Sequence, residues 1–587
     1  MKTMKAAAFL LLLALSAGSV SAAEPASLPF AAAAKANGKW GVIDGSGNLI
    51  VPAVYDAAAL SLSDAETMSE DLASDPCRES LIEVRLKGKR GFYDRTGKSV
   101  VPVSYENRSV WTEGMLAVRN EEDKVLFYRT DGTRVGGTYD QVSDFRNGMA
   151  IVKTGGKYGY LAADGTEIAP VYKEARYFED GLAPVRMKDL WGVIDTKGNT
   201  AVAPAYKDTG PFYSDGLLAV KNKKDRWGFI DTMGTEKVPL IYRSVVPVFS
   251  EHLTAVQNEE KQWGFLDSSG AVTAEPRFRA VLTPFSEGLA GVSTVDGRAY
   301  VHPDGTVAFA ADYTQLFPFD DGLAEVRKGE IRPSALSGGF PVSIGIGWGW
   351  GPRFHHRRHH HPRWGWGIGF PVFYNPPYTG YDTVPTVAVK RGYIDSTGKV
   401  IAAPSNDRVF DASEKGILVQ NDGRYGWVNR GGTYIAHTVY KSLIPEEAAG
   451  FLLARDEENR WGTLSMETGK PEIPFLYKEL RYIGSDLLAY KEDKKWGIIG
   501  KDGTVITAAR YEAVSVASEG FIPVKDSRGW KYIGTDGADR IAPAEPYFDA
   551  TPFSRGRAGV RIGDRWTLID TEGHSLLPPT YEALHIL

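Results

Sequence analysis

One pattern returns from end to end of this chain and limits what it can fold into. Residues 178–206 read Phe-Glu-Asp-Gly-Leu-Ala-Pro-Val, a short polar link, Leu-Trp-Gly-Val-Ile-Asp-Thr-Lys-Gly, then Val-Ala-Pro-Ala-Tyr. With the Gly of the Trp-Gly pair as marker, the pattern falls at Gly41, Gly91, Gly159, Gly192, Gly228, Gly264, Gly392, Gly426, Gly462 and Gly497. Leu126, Ala299, Lys531 and Thr567 mark degenerate copies that keep the flanking residues, which makes 14 in all. Most adjacent markers stand 33 to 36 residues apart. Such a period defines a repeat architecture, and a unit of that size is too small to build a core alone, so its stability must come from stacking on its neighbours.

Within a unit, short runs rich in Val, Ile, Phe and Trp are bounded by Gly and Asp, as in Leu217, Leu218, Ala219 and Val220, then Trp227, Phe229 and Ile230. These predict strands rather than helices. Three fit each unit: the Gly-Leu-Ala-x-Val segment, the Trp-Gly-x-Ile-Asp segment and the Val-x-Pro-x-Tyr segment. An Asp-x-x-Gly link joins the last two, beginning at Asp44, Asp94, Asp195, Asp231, Asp267, Asp395 and Asp570. Its Asp can accept backbone N–H groups and its Gly can take positive φ, so it predicts a hairpin turn. The proline in the third segment predicts an edge position or a bulge, because it has no amide proton to give a ladder.

Trp40, Trp191, Trp227, Trp263, Trp461, Trp496, Trp530 and Trp566 hold equivalent slots, with Tyr158 and Tyr425 as substitutes. A large ring once per unit reads as a packing plug between neighbours. The glycine after it, at Gly41, Gly192, Gly228, Gly264, Gly462 and Gly497, reads as room for close backbone approach. The alternative is a ladder of rings on which sugars stack.

On these residues the chain resembles the bacterial WG-repeat, or KWG-repeat, proteins: Gly38-Lys39-Trp40-Gly41-Val42-Ile43-Asp44, Trp191-Gly192-Val193-Ile194-Asp195, Trp227-Gly228-Phe229-Ile230-Asp231 and Lys495-Trp496-Gly497. The resemblance covers about residues 35–328 and 390–587. It implies an exported or envelope-associated β-repeat protein and supplies no catalytic residues.

Lys2 and Lys5 precede an apolar run over residues 6–15, followed by small residues ending near Ala22 and Ala23. This predicts a signal peptide over 1–23 and a periplasmic or secreted product, since the run is about half the length that spans a bilayer. No later stretch is apolar enough to span, so no transmembrane segment is expected in the mature chain. Cys77 is the single cysteine and excludes an internal disulfide framework. A net charge of −5 argues against nucleic acid as a partner.

Residues 329–389 interrupt the array, and the marker spacing there rises to 93. Two Gly/Trp arms flank a basic centre holding His355, His356, His359, His360 and His361. Three readings stand: a disordered Gly-rich excursion, capture of Zn, Cu or Ni by the imidazoles, or contact with an anion or glycan through Arg and Trp. No nucleophile, phosphate-loop or metalloprotease motif is present. The many Asp residues are accounted for by their turns.

The sequence therefore predicts an all-β tandem array of about 14 three-stranded antiparallel units, open superhelical or propeller-like. Eight markers precede the interruption (35–328) and six follow it (390–587). The expected role is a non-enzymatic binding or scaffold module of the bacterial envelope, with a protein or polysaccharide partner and no cofactor. A metal-binding exported protein is the second reading, and a carbohydrate-active enzyme on a propeller-like scaffold the third.

Overall fold

The computed structural model describes residues 28–60, 80–108, 111–330 and 387–587. The signal-like segment, Cys77 and the five clustered histidines lie outside these residues. No helix occurs among the described residues, and antiparallel strands carry the fold.

Thirteen of the 14 units hold four strands, which we call a to d in sheet order, and unit 14 holds a, b and c with isolated bridges in place of d. In unit 5 they are Glu174–Ala175, Leu182–Met187, Leu190–Asp195 and Thr200–Tyr206. Strands b, c and d are the three predicted segments. Strand a is an addition of mostly two residues, laid down just after the Tyr that ends strand d of the preceding unit. Twelve four-stranded sheets form in this way, and a seven-stranded sheet spans units 13 and 14, joined through the Trp530–Tyr547 pair.

Both faces of each sheet are covered, which explains why strand b is apolar without a break. In unit 6, Leu217 and Ala219 pack towards unit 7, whereas Leu218 and Val220 pack towards unit 5. Strand c divides in the same way: Phe229 faces forwards and Ile230 backwards. Every neighbouring pair of units shares one such apolar cluster, and burial against a neighbour supplies the core that a single unit lacks.

The array closes on itself. Ala583–Ile586 is strand a of unit 1 and pairs antiparallel with Ala31–Ala36, through Ala32–Ile586, Ala33–His585, Ala34–Leu584 and Lys35–Ala583. Ala32, Ala34 and Ile43 of unit 1 then cluster with Leu568 and Tyr581 of unit 14. Of the open and propeller-like alternatives, the strand pairing therefore selects a closed cycle, whose 14 units exceed the four to eight blades usual in propellers. Around the joint, the buried Arg95 donates to the carbonyls of Pro29 (3.3 Å) and Leu587 (3.2 Å). Arg557 Nε donates to the Gly45 carbonyl at 2.9 Å.

The long interruption lies inside unit 9. Its strand b, Leu323–Glu330, pairs with its strand c, Val387–Asp395. A count of eight units before and six after follows the marker glycines, which sit in strand c. The cut between array segments thus passes through one sheet, because strands a and b of a unit precede its marker.

Candidate functional site

The Asp-x-x-Gly links form the expected turns. In unit 6, Asp231 Oδ1 accepts the N–H groups of Met233 (2.9 Å) and Thr235 (2.8 Å), and Gly234 takes φ +80°. Thr235 N–H, then Met233 N–H and Lys237, hold the Asp231 carboxyl below its ordinary range. The Ser269 hydroxyl does most to lower Asp267, and the Asn199 side chain does most for Asp195. Asn429 fills the same role in unit 10, accepting from Gly431 (3.0 Å) and Thr433 (2.9 Å). These carboxylates build turns and are engaged with the backbone.

The glycine after each Trp slot lies beneath a bulge. Trp191 pairs with Tyr206 and Val193 with Val202, so two extra residues of strand d arch over Gly192. A Cβ there would stand 2.7 Å from the Val202 carbonyl oxygen. The corresponding approach is 2.6 Å at Gly41, 2.5 Å at Gly228 and Gly264, and 2.7 Å at Gly462. At Gly497 the Cβ would instead meet the ring of Tyr490 at 2.4 Å. Unit 8 has Ala299 in this place, and there the bulge disappears: Ala299 pairs with Ala310 and Tyr300 with Phe309 in direct register.

The tryptophans sit at the margin of the junction with the next unit. Trp263 and Trp191 are buried, whereas Trp40, Trp227, Trp461 and Trp496 are half-buried. A cation covers several of the rings. Arg176 lies 4.6 Å from the Trp191 centroid, Arg481 4.6 Å from Trp496 and Arg455 5.5 Å from Trp461. In each such contact the cation occupies one face of the ring.

A second set of carboxylates links units along the a–b turns. Glu113 accepts the N–H groups of Asn147 and Gly148, each at 2.8 Å. Glu251 does the same for Glu287 (2.6 Å) and Gly288 (2.8 Å), and Glu519 for Arg555 (2.6 Å) and Gly556 (2.9 Å). Sequence reasoning missed these clamps. Their only signal is a Glu at the turn position of some units, which reads as solvated polar surface.

What remains open to a ligand is the outer edge. Strand d is the last strand of each sheet, and the residue before its terminal Tyr is often an exposed aliphatic: Val54, Val171, Ile241, Val439 and Leu476 are 47% to 67% exposed. A shallow cleft of about 560 Å³ also opens over units 11 and 12, bounded by Ser465, Glu467, Glu472, Lys501 and Asp502. It exists because Ser465 replaces the turn Asp and the link to strand d is one residue longer, with Gly469 N–H returning to the Ser465 carbonyl. Among the described residues, Asp570, Glu572 and His574 bring their ligand atoms within 4.8 Å of one another. Asp570 Oδ1 already accepts the N–H groups of Glu572 and His574 in its turn.

A cycle of antiparallel units, most of them four-stranded and braced by a bulge and a hydrogen-bonded turn, is a β-repeat array. The chain belongs to the WG-repeat family: the WG containing repeat matches residues 40–61, 91–124, 136–158, 159–191, 191–224, 227–261, 263–297, 299–330 and 496–530. No curated protein matches the chain. Three similar solved structures span different shares of the chain. BamB from Moraxella catarrhalis is 13% identical over 38% of this chain and 81% of its own, with a TM-score of 0.21. PorZ, a surface component of the type-IX secretion system of Porphyromonas gingivalis, is 8% identical over 85% of this chain and 79% of its own, with a TM-score of 0.19. A computationally designed protein is 13% identical over 48% and 93%, with a TM-score of 0.22. Among the described residues no helix is long and apolar enough to cross a membrane.

Proposed function

We propose that this WG-repeat protein is exported and acts as a non-enzymatic binding or scaffold module in the bacterial envelope, holding a protein or polysaccharide along the outer strands of its cycle. The observation that carries the reading is the contrast between two sets of residues. The recurrent carboxylates and rings are engaged in turns, clamps and cation contacts, whereas the exposed aliphatic side chains of strand d vary from unit to unit on a repeated frame. An extended surface with locally varied chemistry suits capture of a long or multivalent partner. Export rests on the amino-terminal sequence, with Lys2, Lys5 and the apolar run after them.

A photo-crosslinking residue placed at Val171, Ile241 or Leu476 in the native envelope tests the proposal. Discrete adducts with an envelope protein or polymer, in the same cell fraction as the mature chain, are the expected result. Absence of adducts at all three positions, or turnover of envelope polysaccharide by the purified protein, would overturn it.

The metal reading rests on His355, His356, His359, His360 and His361 in the sequence. Calorimetric titration with Zn²⁺, Cu²⁺ and Ni²⁺, beside a variant lacking 352–362, tests it. Saturable binding that vanishes with the deletion supports metal handling, and equal weak binding by both proteins removes it.

A further inference from the structure

One rim of the cycle carries cations that the fold leaves without partners. Strand d runs antiparallel to strand c, so the link from d to the next strand a lies at the same end of the sheets as the b–c turns. The link N–H donates to the carbonyl of a strand-b residue near that end: Lys173 to Arg186, Lys207 to Lys221, Arg243 to Gln257 and Arg279 to Ser293. Four consecutive units, 5 to 8, thus carry a basic residue in this place. Elsewhere it is mostly acidic, as at Asp56, Asp140, Asp407, Glu512 and Glu582, with Lys441 and Lys478 as basic exceptions. Thr314 ends the basic run.

The b–c turns of the same units add Lys188, Lys223, Lys224 and Lys261. Most carboxylates of this rim are matched. Lys173 pairs with Asp189 at 2.9 Å, Lys207 with Asp225 at 2.7 Å, Arg176 with Asp208 at 3.1 Å, and Arg226 with Glu259 of the next b–c turn at 2.6 Å. Lys188, Lys223, Lys224, Arg243, Lys261 and Arg279 are exposed and have no acidic partner among the described residues. Against these six stand two unmatched carboxylates, Glu260 and Asp296.

Many acids of these units gather at the opposite end, where Asp180, Asp215, Glu251, Glu287 and Asp321 stand in the a–b turns. A chain of net charge −5 therefore presents a basic arc. Sheets stack about 10 Å apart, so the free cations recur at about that interval along four units. Half-buried rings lie beside them: Tyr206 precedes Lys207, Tyr242 precedes Arg243, and Trp227 pairs with both Lys221 and Tyr242. Guanidinium and ammonium groups recognise carboxylate and phosphate, and aromatic rings accept the apolar faces of sugars. A flat anionic membrane would also press on the acidic links of the remaining units, whereas an extended chain can follow the arc alone.

We propose that the rim of units 5 to 8 binds a linear acidic polysaccharide, bearing carboxylate or phosphate groups, whose anions meet Lys188, Lys223, Lys224, Arg243, Lys261 and Arg279. Each contact is weak alone at an exposed site, and several along one chain reinforce one another. The inference rests on the exported binding role proposed above and names a polymer class for it. It uses a surface separate from the outer-strand aliphatic residues, so the two can fail independently.

The test titrates the purified full chain with polygalacturonate and phosphorylated dextran, beside unmodified dextran, poly-L-glutamate and phosphatidylglycerol vesicles. Two variants are compared: K223E/K224E/R243E/R279E in the arc, and R408E/K478E/K494E/R528E, which makes the same change of net charge on units 10 to 13. All eight side chains are without acidic partners, so both variants should unfold at the wild-type midpoint. The expected result is saturable, salt-sensitive binding of at least one acidic glycan, weakened at least ten-fold by the arc variant and less than two-fold by the other. No saturable binding of either acidic glycan would overturn the proposal, as would an equal loss in the two variants. Equal or tighter binding of poly-L-glutamate or of the vesicles would overturn it too, in favour of a protein segment or a membrane. Crosslinks at Val171 or Leu476 in a protein that binds neither glycan would retire the arc and leave the outer-strand reading standing.

Discussion

The indole of Trp40 stacks on the imidazole of His585, with ring centroids 5.1 Å apart and planes 25° from parallel. The two residues lie at opposite ends of the sequence and in one sheet, where the strand that begins the first unit is supplied last. Leu584 is buried in the same joint, and Glu582 accepts the Gly38 N–H at 3.0 Å. Leu584→Ala should lower stability by about 3 kcal/mol, the usual loss for a buried Leu truncated to Ala. Removal of residues 583–587 should open the cycle. Chemical unfolding checks the first outcome, and an increased radius of gyration in solution scattering checks the second.

The bulge over each marker glycine gives a pair of opposite predictions. Gly264→Ala would place a Cβ 2.5 Å from the Ala274 carbonyl and 2.7 Å from the Pro276 nitrogen, contacts that only backbone movement relieves. A loss of about 2 kcal/mol is expected, as for other overpacked sites. Ala299→Gly, where strand d runs in direct register, should cost only about 0.5–1 kcal/mol through backbone entropy. Urea unfolding of the two variants separates them.

The turn carboxylates should make the protein sensitive to acid. Asp195, Asp231 and Asp267 are held below their ordinary range by hydrogen bonds, the largest contributions coming from Asn199, Thr235 and Ser269 respectively. A lowered folded-state pKa stabilises the fold fully above the unfolded value of about 3.9, and the contribution disappears as pH falls through the folded value. Stability from these groups should therefore hold steady from neutral pH to about pH 5 and fall below about pH 4. Asp231→Asn should keep the turn, as Asn429 does naturally, and should weaken the acid dependence. Urea midpoints measured from pH 3 to pH 7 check both points.

Glu251 clamps the following turn by two backbone hydrogen bonds. Glu251→Ala should lower stability by about 1 kcal/mol, on the scale of a lost cap. The more specific outcome is faster amide exchange at Glu287 and Gly288 with little change in strand b, read by hydrogen exchange.

Most of the fold was legible because its period is written in residues with one physical use. Trp-Gly marks a bulge whose strand d backbone lies close over the glycine, although Leu126 of unit 3 sits under the same bulge, and Asp-x-x-Gly marks a turn that needs an acceptor and a positive φ. Strand a was not legible, since two residues such as Asp208 and Thr209 show no period. The first strand b was missed for another reason: Ala31, Ala32, Ala33 and Ala34 have low β propensity and fall before residue 35, where the array was expected to begin. Their strand character comes from the chain's far end. The carboxylate clamps depend on neighbours tens of residues away. The aliphatic residues of the outer strands were visible as letters, but only the sheet order shows which of them face outwards.

Because its first and last segments complete one sheet, the protein carries a donor and an acceptor that fit each other. Within one chain they meet and the cycle ends. Between chains, the same fit has no reason to stop: residues 583–586 of one molecule can fill the place beside Ala32, Ala33, Ala34 and Lys35 of the next, in a head-to-tail contact that extends without closing. What separates a discrete ring from a growing filament is then the effective concentration of a molecule's own far end, which falls as soon as any of the 14 junctions between them gives way.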